Sequence, residues 1–267
     1  MSWLLLLVAA ILAFFTLAWL FQDRLLFFPQ PVASTVHLPA RAAPLEVVAA
    51  DGTHLRGWIV GGAVAPAPAV IYFGGNAEEV SWTLSDARWP REWAIVGINY
   101  RGYGASEGEP GEAALDADGV ATFDAVARRE DVDPRRIVVF GRSLGTAMAA
   151  HLAAARPGAI AGAVLASPFD SMTAIGKLHY PYLPVSLLLR HRFEAVPDAR
   201  TCRMPMLAIV GESDWIIPPA RSRALYDAWA GPKTWLAIPG ADHNDLGARE
   251  EFWRGVRSFL AERAAGP

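Results

Sequence analysis

The chain has one cysteine among 267 residues, Cys202, so no disulfide can close within it and no zinc site can rest on several thiolates. Charge is also sparse: 24 basic and 27 acidic side chains, 19% of the whole, leave a net charge of −3. A protein that grips nucleic acid by its phosphates needs a basic excess, so no nucleic-acid partner is expected. No glycine-rich loop ending in Lys-Ser or Lys-Thr occurs, which argues against phosphoryl transfer from a bound nucleotide. Internal repeats and low-complexity tracts are missing as well, and a 53% hydrophobic content is too high for a disordered chain. What remains is enough chain for one α/β domain and an extra segment.

That segment is at the front. Trp3–Phe21 reads WLLLLVAAILAFFTLAWLF, nineteen residues without a charge. As a helix it reaches roughly 28 Å, close to the hydrocarbon thickness of a bilayer. Trp3 and Trp19 stand near its ends, where indole rings favour the interface. A cleaved signal peptide would want a basic start and a small-residue cleavage site, and neither is there. Residues 1–24 are therefore expected to form a single transmembrane anchor. Arg24 and Arg41 beyond it lean slightly towards a cytoplasmic domain, on too few charges to decide the side.

Pro29, Pro31 and Pro39 mark an extended linker over 25–44. Leu45–Ala50 and Leu55–Val60 flank Asp51-Gly52 and predict a hairpin. Six short apolar runs follow, each fit for a strand buried on both faces: Ala69–Phe73, Ala94–Asn99, Arg136–Phe140, Ala161–Ala166, Pro205–Val210 and Thr234–Ile238. Helical patterns over Glu78–Arg91, Glu112–Arg129, Leu144–Ala155, Pro219–Trp229 and Arg249–Arg263 separate them. The alternation predicts an α/β domain over 45–267, a mostly parallel sheet of about eight strands flanked by helices. Residues 170–203 exceed one crossover and carry an apolar stretch, either a small lid or an ordinary packed crossover.

In such sheets ligands bind beyond the carboxyl ends of the strands, and the chemical motifs fall there. Gly-x-Ser-x-Gly occurs twice, around Ser106 and Ser143. A nucleophile elbow needs a strand before it and a helix directly after. Ser143 has both, in Arg136–Phe140 and Leu144–Ala155, whereas Ser106 runs into Glu107-Gly108-Glu109-Pro110 and is expected to be a turn residue. A serine hydroxyl needs a base, normally a histidine held by a carboxylate. His243 lies in the loop after the last strand; His37, His54, His151, His179 and His191 fall at places that suit structural or surface roles. Asp214 follows the seventh strand and is expected to be the acid; Asp170, one strand earlier, is its rival. Asp242 and Asp245 flank His243 as capping or solvated groups. An oxyanion hole needs preorganised amides, expected from Leu144 and, after the third strand, from Asn76 in Gly74-Gly75-Asn76-Ala77.

These motifs, with Asn99-Tyr100-Arg101-Gly102-Tyr103-Gly104, Asp133-Pro134-Arg135-Arg136-Ile137, Ser167-Pro168-Phe169 and Gly240–Asp245, resemble the membrane-anchored, monoacylglycerol-lipase-like and depalmitoylase-like branch of the α/β-hydrolases over nearly the whole chain. The resemblance implies a serine hydrolase of carboxylic esters or thioesters that needs no metal or cofactor. It also leans towards an extracytoplasmic domain, against the charge count. Relatives include lysophospholipases, thioesterases and peptidases, so the substrate does not transfer. One departure stands out: many relatives have His-Gly-Asn-Ala-Gly where this chain has Gly74-Gly75-Asn76-Ala77-Glu78. Backbone donors survive that change, but the space beside Glu78 does not follow from the family. An acyl-lipid or acylated substrate is expected from the tether and the lid; a peptidase and a non-catalytic membrane scaffold are the competing readings. Oligomeric state is not legible.

Overall fold

The computed structural model describes residues 2–35 and 37–264. It opens with helix α1 (Ser2–Leu26), whose apolar residues from Trp3 onwards bury almost nothing against the rest of the chain. The helix runs two residues past the expected end of the anchor. Beyond it the chain is not a free linker: Phe27 is buried, edge-on to His191 and Phe193.

All eight expected strands are present. β1 (Ala42–Val48) and β2 (His54–Val60) form the hairpin, with Gly52 at φ +86 in its turn. Then come β3 (Ala67–Phe73), α2 (Ser81–Leu84), β4 (Ala94–Ile98), α3 (Glu112–Ala127), β5 (Val132–Arg142), α4 (Leu144–Ala155) and β6 (Gly162–Ala166). Three short helices follow, α5 (Met172–His179), α6 (Val185–Leu188) and α7 (Ala195–Ala199), all within the predicted lid segment. The chain closes with β7 (Met206–Gly211), α8 (Pro219–Ala228), β8 (Lys233–Ile238) and α9 (Glu250–Ala264).

The sheet order is β1-β2-β4-β3-β5-β6-β7-β8, antiparallel only where β2 meets β1 and β4. Alternation along each strand feeds two cores. Ile71, Phe73, Ile137 and Val139 face α3 and α4, while Val70, Tyr72, Val138 and Phe140 face the side covered by α9. Both faces are buried, which is why the strands read as continuous apolar runs.

The helix expected over Glu78–Arg91 is a correction: only Ser81–Leu84 is helical. Local side-chain bonds compete with the helical ladder there. Asp86 accepts from the Arg88 amide, Asn99 takes the Val80 amide, and the Trp89 indole turns back to the Thr83 carbonyl.

From β3 the chain moves to β4 on one side and later returns to β5 on the other, so the loops leaving β3 and β5 diverge. That reversal opens a crevice at the carboxyl edge of the sheet.

Candidate active site

The loops leaving β5, β8, β7 and β3 meet at the crevice. The first is the turn from β5 into α4. Gly141 and Gly145 are needed for it: a Cβ on Gly141 would lie 2.2 Å from the Gly145 carbonyl, and one on Gly145 would lie 2.1 Å from the carbonyl of Phe73. The close approach forces Ser143 to φ +52, ψ −118, a conformation costing a non-glycine residue about 1–3 kcal/mol. The surrounding structure holds it there: the Ser143 amide donates to Ala166 at 2.9 Å, and the Thr146 hydroxyl donates to the Ser143 carbonyl at 2.7 Å.

His243, after β8, and Asp214, after β7, complete a line. Ser143 Oγ lies 3.0 Å from His243 Nε2, and His243 Nδ1 lies 2.8 Å from Asp214 Oδ2. A carboxylate only accepts, so Nδ1 carries the proton and Nε2 is free to accept from the serine hydroxyl. The Asp214 side chain is fully enclosed and His243 nearly so. Such a buried charge needs its lone pairs met. Oδ1 accepts the amides of Ile216 and Ile217 at 3.0 and 2.8 Å, and Oδ2 also accepts the Ser167 hydroxyl at 2.9 Å.

Other sequence candidates fall elsewhere. Asp170 pairs with Arg221 at 2.9 Å. Ser106 is buried in a turn, where its hydroxyl accepts the Arg56 amide and donates to the Asn99 carbonyl, both at 2.8 Å. Asp242 and Asp245 cap each other's backbone amides. His151 pairs with Asp198, His191 with Asp23, and His179 bonds the Ile216 carbonyl.

Asn76 and Leu144 both line a cavity of about 310 Å³ beside Ser143. Leu144 opens α4, so its amide has no carbonyl one turn back to bond. The loop carrying Asn76 is tied from three sides: its side chain donates to the Leu26 carbonyl at 3.0 Å, and its own carbonyl accepts from Tyr103 Oη (2.7 Å) and the Phe28 amide (3.1 Å). The rest of the lining is mainly apolar, with Leu26, Phe169, Met172 and Ile175.

Two groups gained no role from sequence and have one here. Ser167, itself at φ +50, supplies the second donor to Asp214 Oδ2. Glu78, the departure in the loop motif, fastens that loop. Its Oε2 accepts from the Gly75 amide at 2.9 Å and from Arg142 Nη1 at 3.2 Å, while Oε1 accepts from Tyr72 Oη at 2.7 Å and Thr83 Oγ1 at 2.6 Å. Arg142 in turn donates to the His243 carbonyl at 3.3 Å. Burial, then the Glu78 charge, push the Tyr72 phenol well above its ordinary value, so it stays a donor. Burial opposes the charge on Arg142, but Glu78, with Tyr72 and Asp214, together outweighs it and raises the guanidinium above its ordinary value. The only sequence signal for this knot was the unexpected glutamate itself.

Residues 65–192 match the family described as serine aminopeptidase, S33. The uncharacterized protein Rv2307c of Mycobacterium tuberculosis (strain ATCC 25618 / H37Rv) is 38% identical over 258 residues, which is 92% of this chain and 89% of that one. The alpha/beta hydrolase domain-containing protein WAV2 of Arabidopsis thaliana is 26% identical over 275 residues, 91% and 89% of the two chains. The solved structure of the Pyrococcus furiosus esterase Pf2001 superposes with a TM-score of 0.69 at 18% identity, covering 90% of this chain and 98% of the other. That likeness speaks for the fold, and the two sequence relatives align with 92% and 91% of this chain. The chain belongs to the α/β-hydrolase superfamily.

Proposed function

We propose that this protein is a membrane-anchored serine hydrolase that cleaves carboxylic esters or thioesters through an acyl-enzyme on Ser143. One observation carries the reading: a strained serine at a strand-to-helix turn, its hydroxyl 3.0 Å from a histidine that a buried carboxylate orients. His243 Nε2 takes the hydroxyl proton as Ser143 Oγ attacks the acyl carbon. The negative charge gathers on the former carbonyl oxygen, and the amides of Leu144 and Asn76 receive it. His243 then gives the proton to the departing alcohol or thiol, and water repeats the sequence on the acyl-serine. Asp214 keeps the imidazole in the right tautomer throughout. The anchor is α1, whose residues Trp3–Leu26 are long and apolar enough to span a bilayer, with the most apolar stretch of it unburied in the protein. The segment 170–203 is the lid.

The matched family's description makes an aminopeptidase the competing reading. It would have to hold a substrate ammonium. Among the described residues lining the cavity there is no carboxylate to hold it, and the charged group there is a cation, Arg142, already paired with Glu78. The ester reading is tested by hydrolysis of short-chain p-nitrophenyl esters and by labelling with a fluorophosphonate. Ser143→Ala should lose at least about 10⁴-fold in turnover and all labelling, with an unchanged fold by circular dichroism. Full activity in that variant would refute the assignment.

A further inference from the structure

The cavity beside Ser143 has a neighbour. A second cavity of about 270 Å³ lies between α1, at Ala18, Gln22 and Leu25, and the segment from Gly176 through Leu189. Leu26 and Met172 line both, so the two adjoin at these side chains. The second is strongly apolar, and its one amide side chain is turned to other uses. Gln22 is buried, donates to the Leu188 carbonyl at 3.0 Å and accepts from the Arg190 amide at 2.7 Å. Next to it Asp23 holds the Arg190 guanidinium at 2.7–2.8 Å and His191 Nε2 at 3.0 Å. These bonds fix α1 against the lid and leave hydrocarbon surface to line the gap.

A second, independent observation concerns the outside of the same segment. Tyr182 is 95% exposed and Leu187 83%, Leu178 and Tyr180 are exposed as well, and so is Trp215, edge-on to His179 of this segment. An apolar and aromatic patch of this kind suits the interfacial zone of a bilayer, where one end of a ring is wet and the other is not. It sits on the segment that packs against the last turns of α1, where a bilayer spanned by Trp3–Phe21 would have its surface.

We propose that the groove between α1 and the lid binds the acyl chain of the substrate, making the spanning helix one wall of the binding site, and that the substrate is a long-chain acyl ester or thioester drawn from the bilayer. This rests on Ser143 being the group that attacks the ester. The groove adjoins the cavity at Ser143 through Leu26 and Met172 and reaches Ala18, within the apolar stretch of α1. At roughly 30 Å³ per methylene, about the share of one water in the liquid, 270 Å³ holds on the order of nine methylenes beyond those beside Ser143. Each methylene buried there should multiply kcat/KM by roughly three to four until the groove is full.

The test uses the full chain in phosphatidylcholine nanodiscs and compares p-nitrophenyl acetate with p-nitrophenyl laurate. Ala18→Trp fills the groove from the helix side and should cut the laurate-to-acetate ratio of kcat/KM at least tenfold. Ala9→Trp, on an exposed part of the same helix, should leave the ratio within twofold. An unchanged ratio in Ala18→Trp overturns the proposal. A second arm needs no turnover. Ser143→Ala protein is irradiated with a dodecanoyl ester carrying a terminal diazirine, and the adducts are mapped. Labelling should concentrate on Ala18–Leu26 and Met172–Leu189 and fall at least tenfold when Ala18→Trp is added; adducts scattered evenly over α1 would sink the groove. Failure of every ester to be hydrolysed would overturn the reading of Ser143, while the adduct map still decides the groove.

Discussion

Glu78→Gln removes one charge and almost no volume, and the structure sets what that costs. Four donors point at the two carboxylate oxygens: Tyr72 and Thr83 hydroxyls at Oε1, the Gly75 amide and Arg142 at Oε2. Glutamine offers one oxygen and one NH₂ group. The amide oxygen must serve Gly75 and Arg142, whose nitrogens cannot accept, so NH₂ meets the two hydroxyls, which must rotate and find new acceptors. The Gly75 bond becomes a neutral one, the Arg142 guanidinium loses its carboxylate partner, and a buried hydroxyl is left short of a partner at about 1–3 kcal/mol. The Arg142 side chain is 31% exposed, so water screens part of its loss. The sum is about 2–3 kcal/mol, or a fall of roughly 5–10 °C in Tm for a domain of this size. The Gly75 amide is one residue from Asn76, so the proposed oxyanion donor loosens with it. Deleting such a donor outright costs about 10²–10³ in kcat, and displacing it should cost about tenfold, with KM little changed. Thermal melting and steady-state hydrolysis of p-nitrophenyl acetate read both effects. A variant that melts within 2 °C of the parent (a shift of roughly 1 kcal/mol at most) and keeps kcat within twofold would refute the idea that Glu78 holds the loop.

Ser167→Ala removes one of four donors to Asp214 and should lower stability by about 1–2 kcal/mol in urea melts and kcat by roughly tenfold; no change in either would leave Ser167 idle. Ser143→Gly relieves a φ of +52 and should raise stability by about 1 kcal/mol while abolishing hydrolysis, whereas a destabilised glycine variant would argue against strain at the elbow. Asp116 sits 3.9 Å from His151, with Glu112 and Asp198 also close, and burial pushes its carboxyl up to about 6. Between about pH 4 and 6 the unfolded chain sheds a proton that the folded one keeps, so this group lowers stability as pH rises through that window. Asp116→Asn should remove that slope and gain about 1–2 kcal/mol at pH 6.5; an unaltered slope in urea melts refutes it. Finally, a chain cut after Phe21 keeps the bonds of Leu26 and Phe28 to Asn76, and one cut after Gln30 loses them. The first should retain activity on soluble esters and the second should fall at least tenfold; equal activity would uncouple α1 from the site.

The sheet was legible because strands buried on both faces leave unbroken apolar runs, and a run such as Arg136–Phe140 ending in Gly-Arg-Ser-Leu-Gly before an apolar helix has few other outcomes. The serine, histidine and aspartate were legible for the same reason: each follows a strand, and parallel strands deliver their carboxyl-end loops to one edge. What stayed hidden depends on pairings that no local pattern encodes. Glu78 and Arg142 are 64 residues apart, and Ser167 and Asp214 are 47 apart, so neither period nor spacing links them. The false helix over Glu78–Arg91 failed where Asn99 and Asp86 took backbone amides that the helix needed. The end of the N-terminal helix is the most instructive case. Gln22 and Asp23 fall at the end of the expected anchor over 1–24, and the residues after it read as linker. In the fold those same groups bind the lid, and Leu26 and Phe28 bind the loop that carries Asn76. A segment placed by hydrophobicity alone thus acquires, through a handful of polar contacts, a part in shaping the cavity at Ser143.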